Sequence, residues 1–72
     1  MAGSVNMNVL VNGVEIKLAR PEALDALLSE QGLARKGVAV ALNGEVVPRS
    51  SWTSVQVAEG DEVEVLAAAP GG

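Results

Sequence analysis

The sequence predicts an α+β domain in which a mixed sheet of four to five strands carries one main helix packed across one face. Three observations lead there. Short runs of Val, Leu and Ile recur at period two, two Asn-Gly pairs fall between such runs, and one Leu-rich stretch has helical spacing instead. With 72 residues the chain is one domain at most, and a domain of this size buries only about 60% of the surface that its unfolded chain exposes.

Met7, Val9 and Val11 alternate with Asn8 and Leu10, giving a strand with one strongly apolar face. Asn12-Gly13 follows, a pair suited to a type I′ hairpin turn because both central positions of that turn need positive φ. Val14, Ile16 and Leu18 then alternate with Glu15 and Lys17 as a half-buried return strand. Arg20-Pro21 breaks it, and proline fits the first turn of a helix, where Glu22 and Asp25 meet the positive end of the helix dipole. Leu24, Leu27 and Leu28 form one stripe at i, i+3 and i+4. Gly32 is a natural terminator with Leu33 packing back, which predicts a helix of about ten residues.

Val38, Val40 and Leu42 alternate with Ala39 and Ala41, and the small second face predicts a central strand buried on both sides. Asn43-Gly44 turns the chain into a short strand, Glu45 to Val47, ended by Pro48. Arg49 to Ser54 read as a polar loop around Trp52, whose indole is expected to cap the core, as Trp is highly buried on average. Val55 to Val57 predict a short strand. Glu59-Gly60-Asp61 predicts a turn, and Glu62 to Leu66 a last strand with Val63 and Val65 on one face. Residues 1–6 read as a flexible leader, 7–66 as the domain, and 67–72 as a flexible tail ending in Gly71-Gly72. A hairpin, a helix and three further strands in this order match the β-grasp, or ubiquitin-like, arrangement.

Composition excludes more than it selects. The formal net charge is −4, and the basic residues Lys17, Arg20, Arg35, Lys36 and Arg49 read as scattered, with no footprint for nucleic acid. An acidic surface suits docking on a basic partner. Without His or Cys, neither the common zinc sites nor a Ser-His-Asp or Cys-His nucleophile is available. Glu62 and Glu64 share a strand face but read as solvated, residues 59–62 lack calcium-loop spacing, and the glycines form no phosphate loop. No apolar run approaches the roughly 20 residues of a membrane span, and no signal peptide is visible. The expectation is a cytoplasmic protein that is not an enzyme and binds no metal or cofactor itself.

The terminus is the exception. Two glycines closing a chain occur by chance about once in 200. Lacking Cβ atoms, they fit a channel too narrow for other residues, and residues 68–72 reach roughly 17 Å when extended. The Gly72 carboxylate is ionised at neutral pH, with a reference pKa of about 3.5. It is a poor electrophile, so another protein must activate it, for example as an acyl-adenylate. On composition alone a frayed tail without function stays equally open.

The stretch Val40-Ala41-Leu42-Asn43-Gly44-Glu45-Val46-Val47-Pro48-Arg49-Ser50, then Trp52, then Glu59-Gly60-Asp61-Glu62-Val63-Glu64, and finally Gly71-Gly72, resembles the ThiS family of sulfur carriers of thiamine biosynthesis. The resemblance extends over residues 7–72; a departure is Pro70, which fixes its own φ and biases Ala69 toward extended backbone. The resemblance implies that a ThiF-like adenylyltransferase, using ATP and magnesium, adenylates Gly72. Sulfur from a cysteine desulfurase or related donor then gives a thiocarboxylate for a ThiG-like thiazole synthase, with Gly71 and Gly72 threading into partner active sites. The small subunit of molybdopterin synthase, a carrier for tRNA thiolation, and a non-covalent β-grasp interaction module are the alternatives. For docking, Leu10, Val47 and Leu66 are expected on the sheet face opposite the helix.

Overall fold

The computed structural model describes residues 6–67; the leader residues 1–5 and the tail residues 68–72 lie outside the described part. The chain runs through β1 (Met7–Val11), β2 (Val14–Leu18), β3 (Glu22–Ala23), α1 (Leu24–Glu30), β4 (Val38–Leu42), β5 (Glu45–Val46), a 3-10 turn (Arg49–Ser51), β6 (Gln56–Val57) and β7 (Glu62–Ala67). Five strands form one sheet in the order β2-β1-β7-β4-β5, while β3 and β6 make a separate two-stranded ribbon. β1 and β7 are parallel and the other pairings antiparallel, so the sheet is mixed as expected.

Both Asn-Gly pairs adopt the geometry that the hairpin reading requires. Asn12 and Asn43 have φ of 52° and 51°, and Gly13 and Gly44 follow at 83° and 86°. Each asparagine also has a second task. The Asn12 Oδ1 accepts the Val65 N–H at 2.8 Å, and the Asn43 Oδ1 accepts the Glu62 N–H at 2.9 Å. The two turn side chains thereby hold β7 near both of its ends, across 53 and 19 residues of sequence respectively.

The helix is shorter than the sequence predicts. It spans seven residues, and Pro21 and Glu22 are not in its first turn. Instead Glu22 and Ala23 are extended and pair with Val57 and Gln56. The Leu24 and Asp25 N–H groups then donate to the carbonyls of Val55 (2.7 Å) and Trp52 (3.1 Å). Those loop carbonyls satisfy donors that a longer helix would have turned inward, so the loop sets the helix start. The end is as expected. Gly32 has φ of 72°, its N–H donates to Ser29 and the Leu33 N–H to Leu28, a complete Schellman ending.

Leu24, Leu27 and Leu28 are fully buried against Val9, Val11, Leu18, Val40, Val57 and Val63. Each such side chain is worth about 1.5–3 kcal/mol in burial. Trp52 is 2% exposed and closes this core, its indole N–H donating to the Val47 carbonyl at 3.0 Å. Two strand expectations change. The central strand is β7, not β4, and Ala39 of β4 is exposed, because among the described residues one helix covers one face and nothing covers the other. Val14, at the turn end of the outermost strand, is 61% exposed although it alternates with Ile16 and Leu18.

Among the described residues Glu22 is an acid whose surroundings disfavour its charge. Its Oε1 is sealed from solvent without a hydrogen-bond partner among the described residues. Desolvation, and then the neighbouring Glu30 carboxyl, push its pKa above the ordinary 4.5. A raised folded-state pKa means that the folded chain holds more protons than the unfolded one in that window, so stability falls as pH rises through it. Glu22→Gln should remove this slope, which urea midpoints measured from pH 4 to 7 will register. Asn12→Gly keeps the positive φ but deletes the acceptor for Val65, and should lower unfolding free energy by about 1 kcal/mol in the same assay.

Candidate functional site

Because side chains alternate along each strand, the pairing register assigns every sheet residue to a face. Val9, Val11, Val40 and Val63 point into the core. Their neighbours Leu10, Ala39, Ala41, Glu62, Glu64 and Leu66 therefore point the other way, onto a face that no helix covers. On it Leu66 lies opposite Ala39, and Ala41 lies between Glu64 and Val46. Leu66 is 69% exposed and Val46 76%. Such side chains of β7, β4 and β5 make an apolar strip beside the end of β7, with Glu62 and Glu64 along its flank.

Leu10 and Leu66 lie on this open face as expected; Leu10 is half-buried beside Glu62. Val47 does not. Its N–H donates to Val40, it faces as Val40 does, and it packs against the core. The reason is the two-residue period: β5 pairs Val46 with Ala41, so the open-face valine is Val46 and its neighbour turns inward. Sequence reading missed Val46, Ala39 and Ala41. Two adjacent valines give no alternation from which to choose, and only the pairing of Val46 with Ala41 decides it.

Gly71 and Gly72 lie outside the described residues. What is described is their covalent root, since β7 ends at Ala67, opposite Val38. Among the described residues no pocket is found and no three acids, histidines or cysteines gather in metal-binding reach. No described helix is long and apolar enough to cross a membrane. The candidate site is the open sheet face next to the base of the Gly-Gly segment.

A mixed five-stranded sheet with one helix across one face is the β-grasp architecture of small ubiquitin-like proteins. The ThiS family profile matches residues 7–72, and the chain belongs to this family of thiamine-biosynthesis sulfur carriers. It is similar to a thiamine biosynthesis protein (ThiS) from Geobacter metallireducens of known crystal structure, with 38% identity and a TM-score of 0.80 over 92% of this chain and 100% of that one. The sulfur carrier protein ThiS of Escherichia coli K12 is 29% identical over 66 residues, 92% of this chain and all of that protein. A thiazole synthase of Paramagnetospirillum magneticum is 39% identical over 66 residues, and the chain spans 20% of that protein's length.

Val46 of β5 and Val47 just beyond it separate the open face from the core. Val46→Asp should leave the urea midpoint nearly unchanged, as surface substitutions stay within about 0.5 kcal/mol. Val47→Asp should cost about 1–3 kcal/mol by burying a polar group.

Proposed function

We propose that this chain carries sulfur as a thiocarboxylate on Gly72 for thiazole formation in thiamine biosynthesis. The observation that supports this most is the family match running through Gly72. In this reading an adenylyltransferase of the ThiF type uses ATP and magnesium to convert the Gly72 carboxylate into an acyl-adenylate, with loss of pyrophosphate. A sulfur nucleophile, derived from a cysteine desulfurase or another donor, displaces AMP and leaves the thiocarboxylate. The chain itself supplies a handle: a folded body to be recognised and two glycines slim enough to thread into a partner's active site.

A thiazole synthase of the ThiG type is the acceptor in this reading. Its support is that a protein named thiazole synthase contains a segment 39% identical to this chain. The open face is the surface on which partners dock, with Leu66, Val46 and Leu10 as its apolar contacts. Exposed apolar side chains gathered on one face fit such a role.

Intact-mass measurement tests the reading. After incubation with ATP, sulfide and a ThiF-type enzyme, the chain should gain the mass of one oxygen replaced by sulfur, and deletion of Gly72 should abolish the gain. Leu66→Asp should slow the same reaction about tenfold or more, as loss of a contact worth over 1.4 kcal/mol does, while the urea midpoint stays in place. A gain only with the activating enzyme of molybdopterin synthesis would move the acceptor to a pterin. No gain with either would leave a non-covalent interaction module.

A further inference from the structure

Read in sequence, the five basic residues look scattered; in the fold Arg49 comes to Arg35, which Lys36 follows in the chain. β4 begins at Val38, which faces Ala67 at the end of β7, and Arg35 and Lys36 precede it with Gly37 between. Arg49 joins them, because its guanidinium donates from Nη2 to the Arg35 carbonyl. All three side chains are exposed. The Arg49 guanidinium also lies 4.3 Å from the centre of the buried Trp52 ring, a cation–π contact that fixes where its charge sits. The other end of the sheet carries more acids than bases, with Lys17, opposite Asn8, as a base among them. Glu45 pairs with Leu42 there, Glu59 accepts the Asn8 N–H, and Asp61 and Glu62 are held to Asn43. A chain of net charge −4 therefore presents a positive end at the root of its Gly-Gly segment.

We infer that Arg35, Lys36 and Arg49 dock against an acidic rim around the cleft through which the carboxylate-activating enzyme takes up residues 68–72. This rests on the carrier reading above. The choice of a protein rim over the nucleotide follows from reach. A threaded segment is extended and places Gly72 roughly 17 Å from Ala67, whereas charges in salt solution act over about 8 Å. The basic cluster thus lies too far from the phosphates bound at Gly72 to act on them, and addresses the entrance. Rim charges of this kind set encounter rate and orientation more than the lifetime of the complex. They would admit the chain with its Gly-Gly end leading, since the acidic end is repelled by the same rim.

Lys36→Glu and Arg20→Glu make the same change in net charge, and only Lys36 belongs to the cluster. With a ThiF-type enzyme and ATP, pyrophosphate release should show kcat/KM reduced about tenfold for Lys36→Glu at low salt. The deficit should shrink toward twofold at high salt, with kcat at saturation unchanged. Arg20→Glu should stay within about twofold throughout. Equal effects of the two variants, or a Lys36→Glu deficit that ignores salt, would overturn the inference while leaving the carrier reading intact. Failure of the unsubstituted chain to release pyrophosphate would overturn both. Arg35→Glu is the second variant, expected to follow Lys36→Glu; urea midpoints for all three separate docking from folding.

Discussion

The main sheet depends on how β7 is held, because within that sheet it alone joins two pairs of strands that do not pair with each other. β1 and β2 come from the start of the chain, β4 and β5 from its middle, and β7 is the strand between the two pairs. A parallel neighbour on one side and an antiparallel one on the other give β7 no turn of its own to set its register. The Asn12 and Asn43 side chains supply that setting. Each sits at the tip of one hairpin and accepts a β7 backbone N–H. Turn chemistry that is local in sequence thereby becomes a long-range constraint. Asn12 acts where β1 has turned away into its hairpin, so its carboxamide stands in for the missing strand partner of Val65.

The other consequence is one-sidedness. A single seven-residue helix covers one face of a five-stranded sheet, and the small residues Ala39 and Ala41 leave the other face shallow. In a larger α/β domain a second helix would cover that face. Here the uncovered strip of Val46, Ala39, Ala41 and Leu66 lies beside the strand that leads to Gly71-Gly72. In the proposed function a surface for recognition and a segment for chemistry thus share one strand, and the basic residues near its end share the same root. That proximity suits a protein whose reacting group is processed by other proteins.

Which parts were legible follows from the range of the interactions involved. The Asn12-Gly13 hairpin, the Leu24, Leu27 and Leu28 stripe and the Gly32 ending were all readable, since each depends on residues within one or two turns of chain. The helix start was misread because the Val55 and Trp52 carbonyls decide it, from about thirty residues away in the sequence. The identity of β4 as central strand was misread because small residues signal a close or an open face equally well. On the candidate site, Leu10 and Leu66 were legible from alternation, whereas Val47 was assigned to the wrong face.

Alternation, turn residues and helix spacing are properties of neighbours along the chain, so the sequence by itself determined the element types, the apolar face of most strands and the Gly-Gly segment that marks the carrier class. Registration between distant strands is not such a property. It arises only when hydrogen-bond ladders and the packing of Trp52, Leu27 and Val63 are satisfied together, and small shifts of register exchange faces. Tertiary structure alone therefore decided that β7 is central, that Val46 rather than Val47 faces outward, and that Arg35, Lys36 and Arg49 meet at the end of β7.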